Sequence, residues 1–350
     1  MRKKVLVAMS GGVDSSVAAF LLKKEGYDVT GVTMCFGRNE DGKARCCGPA
    51  AVEDARKVCE HLGIPHYVFD YGEEIEKKVI SRFLHAYMNG KTPNPCIDCN
   101  RYLKFDSLLK KAMALGFDYL ATGHYAKISC DGGKYSLQRP ADGRKDQTYF
   151  LYPINPQALS KILFPLATLR KEEVRRLAAI GGLPVATKEE SQDLCFVAKR
   201  DYPTFIARQI GKPSPGPIEN KKGERLGTHR GLPFYTIGQR SGLGIAHPTP
   251  LYVIAIDPKN NLITVGERKD LRAKGLIAGD LNYLTPNWPQ EVYAKVRYRR
   301  EAARCRIEPL GEKLKVLFFE EEEAITPGQA VVFYHGTYVL GGGTIEEVIP

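Results

Sequence analysis

The stretch Lys4-Val5-Leu6-Val7-Ala8-Met9-Ser10-Gly11-Gly12-Val13-Asp14-Ser15-Ser16 predicts the fold of the N-terminal part of the chain. Residues 4–8 form a short apolar run that predicts a buried strand, and Val17 to Lys24 then shows helical spacing. Two glycines between a strand and a helix let the backbone approach a phosphate closely. The unpaired N–H groups at the start of the helix attract the anion. The stretch therefore predicts a phosphate-binding loop in an α/β domain.

The loop belongs to neither of the two commonest phosphate-binding motifs, since it lacks both GxxxxGK[ST] and GxGxxG. The alternative interpretation is a plain glycine turn before a capped helix. That turn does not need the hydroxyls of Ser10, Ser15 and Ser16, each of which suits a phosphate oxygen. A nucleotide also needs a site for its base, which in α/β sheets lies at the carboxyl ends of the strands. Met34 and Gly123, at the ends of two predicted strands, are the candidates.

The pattern outward from the loop predicts a doubly wound parallel sheet, because strands and helices alternate over the first 125 residues. A Pro/Gly-rich connection at 211–217 marks a plausible boundary. Beyond about residue 230 the helical signal fades, and seven short strand-like pieces predict a small all-β barrel. We expect a nucleotide-binding catalytic domain over 1–205, a small central domain over 206–276 and a C-terminal β-barrel over 277–350.

Length and charge narrow the class of protein. The 350 residues carry 51 basic and 40 acidic side chains, a net charge of +11. Residues 294–306 concentrate six basic residues against one acidic residue. This pattern fits a polyanionic partner such as nucleic acid, or a well-solvated basic enzyme. The sequence contains no apolar run of about 18 residues, so it predicts no membrane span. The apolar start is too short for a signal peptide, so we expect a cytoplasmic protein.

Nine cysteines at irregular spacing argue against a disulfide framework and favour catalytic, metal-binding or buried thiols. Cys96 and Cys99 form a Cys-x-x-Cys pair that we expect on a rigid Pro-rich loop, residues 92–100. Such a pair suits disulfide exchange, metal ligation or sulfur transfer. A structural zinc site would need two further ligands, and the adjacent Cys46 and Cys47 are poorly spaced for that role. Cys195 is a further candidate, with a buried structural cysteine as the alternative.

The motif SGGVDSS resembles the PP-loop of the ATP pyrophosphatase superfamily, whose members split ATP between the α and β phosphates. The later motifs PNPCIDCN, ATGHYA, KDQTYFLY, SQDLCF, YTIGQRSGLGI and TPGQAVVFY occur in one order along the chain. Together they resemble the tRNA-specific 2-thiouridylase family (MnmA/TrmU), over nearly the whole chain. The resemblance implies ATP-dependent 2-thiolation of the anticodon wobble uridine of tRNA. It also implies that both C-terminal domains contact tRNA.

The resemblance also implies roles for individual residues. Cys99 matches the nucleophile and Cys195 the residue that carries persulfide sulfur, and in the family these two can form a disulfide. The ATP site matches Ala8, Met9, Ser10, Gly11, Gly12, Val13, Asp14, Ser15, Met34 and Gly123. The segment around the flipped target base matches Asn94, Pro95 and Cys96. The tRNA contacts match His124, Lys145, Asp146, Gln147, Tyr298, Arg299 and Gln329.

The implied cofactors and partners are ATP with Mg²⁺, the tRNA anticodon stem-loop, and a cysteine desulfurase or sulfur-relay protein as the sulfur donor. Many family members have Asp where this chain has Cys96, and a thiol is a poor substitute in hydrogen bonding or proton transfer. Cys96, Cys99 and Cys195 could instead ligate a [4Fe-4S] cluster with one open iron. Two other functions remain open: a PP-loop ligase acting on a small carboxylate or amide, and a non-catalytic RNA-binding module with structural zinc.

Overall fold

The computed structural model describes residues 2–37, 49–189, 196, 202–211 and 213–350. The chain forms two compact units. One comprises residues 1–79, 96–200 and 336–339, and the other comprises residues 80–95, 201–335 and 340–350. Among the described residues, no helix has both the length and the apolar character that crossing a membrane requires.

The first unit is built on a five-stranded parallel sheet in the order β3-β2-β1-β4-β7. Its strands are β1 (Lys4–Ala8), β2 (Asp28–Cys35), β3 (His66–Asp70), β4 (Tyr119–Thr122) and β7 (Ile162–Leu163). Successive strands run outward from β1 on one side, and the chain then returns to place β4 on its other side. This reversal is the position at which open α/β sheets bind ligands. The predicted doubly wound sheet is confirmed.

The helices of the N-terminal part include two long runs that are interrupted by π-helical segments. The first two helices are α1 (Val13–Lys24) and α2 (Pro49–Leu62). The next run consists of α3 (Gly72–Ile75), a π-helical segment (Glu76–Ile80) and α4 (Ser81–Met88). A second run consists of α5 (Pro95–Asp98), a π-helical segment (Cys99–Leu108) and α6 (Leu109–Ala114). The helix α7 (Lys171–Ile180) and short 3₁₀ turns (Gly143–Lys145, Thr148–Phe150, Pro156–Lys161) complete the set.

The first unit has its core between the sheet and α1. Val5 and Val7 of β1 pack with Val17 and Leu22 of α1, and all four side chains are at most 2% exposed. Each such burial contributes about 1.5–3 kcal/mol. A hairpin of β5 (Lys127–Asp131) and β6 (Lys134–Gln138) follows β4, and its turn at Gly132-Gly133 has positive φ at both glycines.

The second unit contains α4, α8 (Tyr202–Ile210) and a four-stranded central sheet in the order β10-β11-β8-β9. Its strands are β8 (Gly216–Asn220), β9 (Arg225–His229), β10 (Tyr252–Asp257) and β11 (Leu262–Gly266). Two 3₁₀ turns, Leu232–Phe234 and Arg268–Leu271, lie before and after the last two strands. The small core includes Ile218, Val253, Ile263 and Val265, which are fully buried.

The same unit contains a six-stranded antiparallel barrel. Its strands are β12 (Arg272–Tyr283), β13 (Glu291–Lys295), β14 (Ala303–Leu310), β15 (Lys313–Glu323), β16 (Ala330–His335) and β17 (Tyr338–Ile349). The order is β12-β15-β14-β13-β16-β17, and pairing of β17 with β12 closes the barrel. Side chains alternate between the interior and the solvent, as in β13, where Val292 and Ala294 are buried. The predicted C-terminal barrel is confirmed.

Three local expectations differ from the structure. The Pro-rich segment 92–100 was expected to be a loop, but a helix begins at Pro95 and both thiols lie on it. Proline at the first helical position costs no hydrogen bond, which is why the prolines do not prevent the helix. The connection at 211–217 already contains the start of β8 at Gly216. Strand β12 was not predicted, because Gly275 and Gly279 interrupt its apolar pattern.

Candidate active site

The phosphate loop joins β1 to α1, and its backbone depends on glycine at position 11. Gly11 has φ +69, and a Cβ there would collide with the carbonyl oxygen of Ala51. The Gly12 carbonyl accepts hydrogen bonds from the Ser16 hydroxyl (2.8 Å) and the Ser15 hydroxyl (3.2 Å). Ser15 Oγ also accepts from the backbone N–H of Ser10 (3.2 Å). The hydroxyls that were expected to face a phosphate therefore hold the loop in shape.

The two candidate nucleoside contacts lie at the same edge of the sheet as the loop, because β1, β2 and β4 are parallel neighbours. Met34 is the second-last residue of β2 and is 7% exposed. Gly123 directly follows β4, and a Cβ there would lie 2.6 Å from the backbone nitrogen of Ser15. Gly123 is thus required for the close approach of this strand end to the first turn of α1.

Two lysines from distant parts of the chain reach the phosphate loop. Lys171, at the start of α7, is buried, and its Nζ lies 2.6 Å from Asp14 Oδ1. The Tyr125 hydroxyl donates to the same carboxylate oxygen at 2.8 Å. Lys188 Nζ donates to the Gly11 carbonyl oxygen at 2.9 Å and lies 2.5 Å from Asp54 Oδ2. The loop, which contains no lysine, thus has two ammonium groups beside it.

Sequence reasoning missed both lysines. Nothing in the local pattern distinguishes Lys171, in the run LRKEEVRR, from an ordinary charge on a solvated helix face. The one informative signal would have been its place at the first turn of a helix, where a basic residue opposes the helix dipole. Asp142 fixes that place, since its Oδ2 accepts the backbone N–H of Lys171 at 3.0 Å.

The two thiols of the Cys-x-x-Cys pair lie on consecutive turns of one helical run, because positions three apart share a helix face. Cys96 is half-buried in α5, and Cys99, at the start of the π-helical segment, is 6% exposed. Neither forms a disulfide within the described residues. π-helical turns are uncommon and often mark functional sites. The structure therefore places the candidate nucleophile at an unusual point of the backbone.

Asn100 anchors the segment that carries Cys99. Its side chain is 2% exposed, and Nδ2 donates to the Phe150 carbonyl oxygen at 3.0 Å. The Oδ1 atom is buried and has no hydrogen-bond partner among the described residues. Phe150 ends the 3₁₀ turn that follows residues 145–147, so Asn100 ties the thiol segment to one of the predicted tRNA-contact segments.

Several candidate residues lie outside the described residues. They are Cys195, which was assigned the persulfide, and Cys46 and Cys47, which were considered as zinc ligands. Over the described ranges, no group of three His, Cys, Asp or Glu side chains is arranged to hold a metal ion.

His124 and the 145–147 segment line the region after β4. His124 Nδ1 lies 2.7 Å from Thr122 Oγ1, and its ring packs against those of Phe105 and Phe164. Burial lowers the pKa of His124 well below its usual value, with a smaller contribution from the nearby Lys104 charge. The imidazole is therefore neutral near pH 7. A neutral ring suits hydrogen bonding to a base or a sugar rather than charge pairing with phosphate.

Within the 145–147 segment, the side chains of Asp146 and Gln147 form hydrogen bonds inside the fold. Asp146 is buried and accepts from the backbone N–H (2.9 Å) and the hydroxyl (2.5 Å) of Thr148. Gln147 Oε1 accepts from the backbone N–H of Tyr125 at 2.8 Å. Lys145 ends a 3₁₀ turn and is partly exposed.

The basic stretch of the second unit divides into structural and exposed arginines. Arg297 is partly buried and donates to the Ile237 carbonyl oxygen (3.0 Å) and to Thr326 Oγ1 (2.7 Å). It therefore joins the central domain to the barrel, although it belongs to the basic stretch 294–306 that fits a polyanionic partner. Arg299 and Arg300 are exposed, and Arg300 lies 3.3 Å from the Glu323 carboxylate. Tyr298 is half-buried, with Lys295 Nζ 5.6 Å from its ring centroid.

The remaining candidate, Gln329, lies in the turn between β15 and β16. Its Nε2 donates to the Thr92 carbonyl oxygen at 2.7 Å. The side chain is thus engaged within the second unit, with the segment that leads into Asn94 and Pro95.

Three family models match consecutive parts of the chain. They are described as the tRNA methyl transferase HUP domain (residues 3–199), the tRNA methyl transferase PRC-barrel domain (203–267) and the aminomethyltransferase beta-barrel domain (273–345). The chain is 57% identical to "tRNA-specific 2-thiouridylase MnmA 1" of Syntrophus aciditrophicus, over 100% of this chain and 94% of that protein. It is 50% identical to "tRNA-specific 2-thiouridylase MnmA" of Carboxydothermus hydrogenoformans, over 99% of this chain and 98% of that protein. The relatives match as whole chains, whereas the methyl-transfer names describe single domains.

Proposed function

This chain belongs to the tRNA-specific 2-thiouridylase family and is a tRNA sulfurtransferase, and we propose that it thiolates C2 of the anticodon wobble uridine at the expense of ATP. The observation that carries the proposal is the phosphate loop with Lys171 and Lys188 beside it. Two glycines allow close backbone approach, and two ammonium groups, paired with Asp14 and Asp54, lie at the loop where a polyphosphate would bind. A methyl transfer would need neither the loop nor the thiols.

ATP with Mg²⁺ fits the loop in chemical type. Residues 8–15 cradle the phosphates, with Met34 and Gly123 at the nucleoside. Asp14 is the carboxylate at the loop that suits Mg²⁺, a cation that prefers oxygen ligands and usually binds together with substrate phosphates. Lys171 and Lys188 balance the charge that shifts onto pyrophosphate as the α–β bond breaks.

The chemistry begins with activation of a poor electrophile. The uridine O2 attacks the α-phosphorus, pyrophosphate leaves, and the oxygen becomes part of an adenylate that can depart as AMP. The base must first leave its stack, and an anticodon loop presents unpaired bases for this purpose. Asn94, Pro95 and Cys96 form the segment around the extruded base. Cys96 contributes shape there, because a thiol is a weak hydrogen-bonding group.

Sulfur arrives as a persulfide on Cys195, supplied by a cysteine desulfurase or a sulfur-relay protein. The Cys99 thiolate attacks the Cys195 sulfur, forms a Cys99–Cys195 disulfide and releases hydrosulfide. Hydrosulfide then attacks C2, AMP leaves with the original oxygen, and 2-thiouridine results. A thiol reductant must reopen the disulfide before the next cycle. The burial of Cys99 supports this role, because solvent exclusion protects a reactive sulfur from side reactions.

An iron–sulfur cluster held by Cys96, Cys99 and Cys195 is the alternative use of the same thiols. Cys96 and Cys99 lie one helical turn apart, a spacing that suits a shared ligand set. Such a cluster, when bound, would supply an open iron for sulfide. The iron content of anaerobically purified protein distinguishes the two schemes.

Recognition of tRNA is proposed for both parts of the chain. The neutral imidazole of His124 suits contacts with the bases near the target. Lys145 and Gln147 suit the nearby bases and backbone, and the buried Asp146 holds their segment in shape. Tyr298 and Arg299 of the barrel, with the central domain, suit the anticodon stem. Exposed Arg299 supplies phosphate attraction, which carries most of the affinity in such interfaces.

The test measures two products of the reaction, AMP and 2-thiouridine. The protein is incubated with α-labelled ATP, an unmodified tRNA transcript, cysteine and a cysteine desulfurase. We expect AMP release that depends on tRNA, and 2-thiouridine in the digested RNA by mass spectrometry. ADP as the product, or AMP release that is independent of tRNA, would exclude the proposed reaction.

A further inference from the structure

The segment that leads into the target-base residues is fixed on both sides by one turn of the barrel, Thr326–Gln329. The backbone N–H of Thr92 donates to the Pro327 carbonyl oxygen at 2.9 Å. The Thr92 carbonyl oxygen accepts from Gln329 Nε2 at 2.7 Å. Both backbone groups of Thr92 are thus bound by the barrel. Thr92 lies two residues before Asn94, so its position determines where the target-base segment begins.

The turn is built for close approach to this segment. Gly328 has φ +90, and a Cβ there would lie 2.9 Å from both Lys91 Cβ and the Thr92 nitrogen. Its backbone N–H donates to Ile345 on β17, and Gln329 donates its N–H to Thr326. The turn is therefore held by the barrel's own strands, and only glycine leaves room for residues 91 and 92.

A residue of the central domain, Thr236, also contacts Thr92. Thr92 Oγ1 lies 3.4 Å from Thr236 Oγ1. The hydroxyl of the buried Tyr87 also hydrogen-bonds to Thr236. Burial is the main reason that the pKa of Tyr87 is raised. Arg297 binds both Ile237 and Thr326, and so connects the segment after Thr236 to the barrel turn.

We propose that Gln329 is a positioning residue, which holds the Thr92 backbone and thereby sets the place of the Asn94–Cys96 segment for reaction with the target base. This inference rests on the proposed function, because the segment takes its role from the thiolation reaction. It assigns the barrel a part in catalysis beyond tRNA binding. A small displacement of a positioned segment costs about 10²-fold in rate.

The test separates positioning from tRNA contact by steady-state kinetics. Gln329→Glu keeps the shape but replaces the donor with an acceptor at neutral pH. We expect Gln329→Glu and Gln329→Ala to lower kcat for tRNA-dependent AMP release at least tenfold while tRNA affinity stays unchanged. A loss of tRNA affinity with kcat unchanged would make Gln329 a tRNA contact only and would overturn the proposal. Unchanged kcat and affinity would overturn it as well.

Gly328→Ala tests the same contact from the other side, and Gly311→Ala is its matched control. Gly311 also has positive φ, in the turn between β14 and β15, but has open space around its Cβ position. Both variants therefore carry backbone strain, and only Gly328→Ala should displace Thr92. We expect kcat to fall in Gly328→Ala alone. Equal kcat in the two variants would overturn the proposal.

A readout without substrate distinguishes this inference from the proposed function. Iodoacetamide labels Cys96 and Cys99, and trypsin releases both in the peptide Thr92–Arg101. We expect a changed labelling rate of Cys96 and faster amide exchange at Thr92 in Gln329→Ala and Gly328→Ala, with labelling of the exposed Cys130 unchanged. Exchange at Thr92 as slow as in the wild type would overturn the proposal. If wild-type protein fails to release AMP, the proposed function fails while these measurements still decide the contact.

Discussion

The Lys171 ammonium and the Asp14 carboxylate lie 2.6 Å apart at the first turn of α1, although 157 positions separate them in the chain. Lys171 is almost completely buried, and Asp14 is partly exposed. The pair is thus oriented with its carboxylate toward the phosphate loop. The ion pair is fixed at the loop before any nucleotide arrives, so no flexible side chain has to be ordered during the reaction.

Removal of either partner should therefore stop adenylation rather than tRNA binding. We expect Asp14→Ala to abolish tRNA-dependent AMP release, and Lys171→Met to reduce it by about 10²-fold, as for one lost group that stabilises a transferring phosphoryl. The double variant should be no worse than Asp14→Ala, since the residues act as one unit. Lys110→Met, which removes an exposed ion pair with Asp106, is the matched control. Equal loss of tRNA affinity in Asp14→Ala would instead make the loop purely structural.

Gly123→Ala should damage the nucleotide site through one methyl group. The added Cβ would lie 2.6 Å from the Ser15 nitrogen, so the strand end and the first turn of α1 must separate. We expect weaker ATP binding in titration calorimetry and a lower melting temperature. Gly143→Ala is the control, because its Cβ would meet no atom of the described residues within 4 Å. Wild-type ATP affinity in Gly123→Ala would contradict this account of the site.

The two thiols should differ in sulfur loading. We expect Cys195→Ser to lose both persulfide and thiolation, but to keep tRNA binding and uridine adenylation. Cys99→Ser should lose thiolation, yet Cys195 should still accept labelled sulfur from a desulfurase. A serine hydroxyl keeps the shape but hardly ionises near neutral pH. Cys130→Ser controls for the loss of an exposed thiol.

Equal loss of sulfur loading in both variants, together with iron in the wild-type protein, would favour the cluster scheme. Full activity in both would remove the thiols from the reaction.

Substitution of Arg297 and of Arg299 should change two different properties of the protein, its thermal stability and the salt dependence of tRNA binding. Arg299→Ala should lower the slope of log affinity against log salt by about 0.7–0.9, because one phosphate contact and its released counterion are lost. Arg297→Ala should instead lower the melting temperature, since its guanidinium binds Ile237 and Thr326 within the protein. Binding measurements between low and physiological salt, paired with calorimetry, separate the two. An unchanged slope in Arg299→Ala would exclude it from the interface.

The sequence predicted the features that are formed by contiguous residues, but not the contacts between residues that are far apart in the chain. The phosphate loop is a contiguous strand–glycine–helix pattern, and each barrel strand except β12 shows its own apolar pattern. The contacts of Lys188 with Gly11 and of Gln329 with Thr92 join positions 177 and 237 residues apart. Such pairs follow from tertiary packing and leave no periodicity to read. Cys96 and Cys99 were found as a motif, but their helix was missed because two prolines suggested a loop.

The closure of the barrel has a consequence for the order of folding. Gly275 in its first strand pairs with Ile349 in its last, so the ring of strands closes only after residue 349 is made. The residues of the nucleotide site, from Gly11 to Lys188, all precede the barrel in the chain, and domains fold as units during synthesis with the N-terminal one first. The N-terminal sheet can therefore form early, while the turn that binds Thr92 matures only when the barrel closes. A newly made chain should acquire its nucleotide site before its thiolation competence.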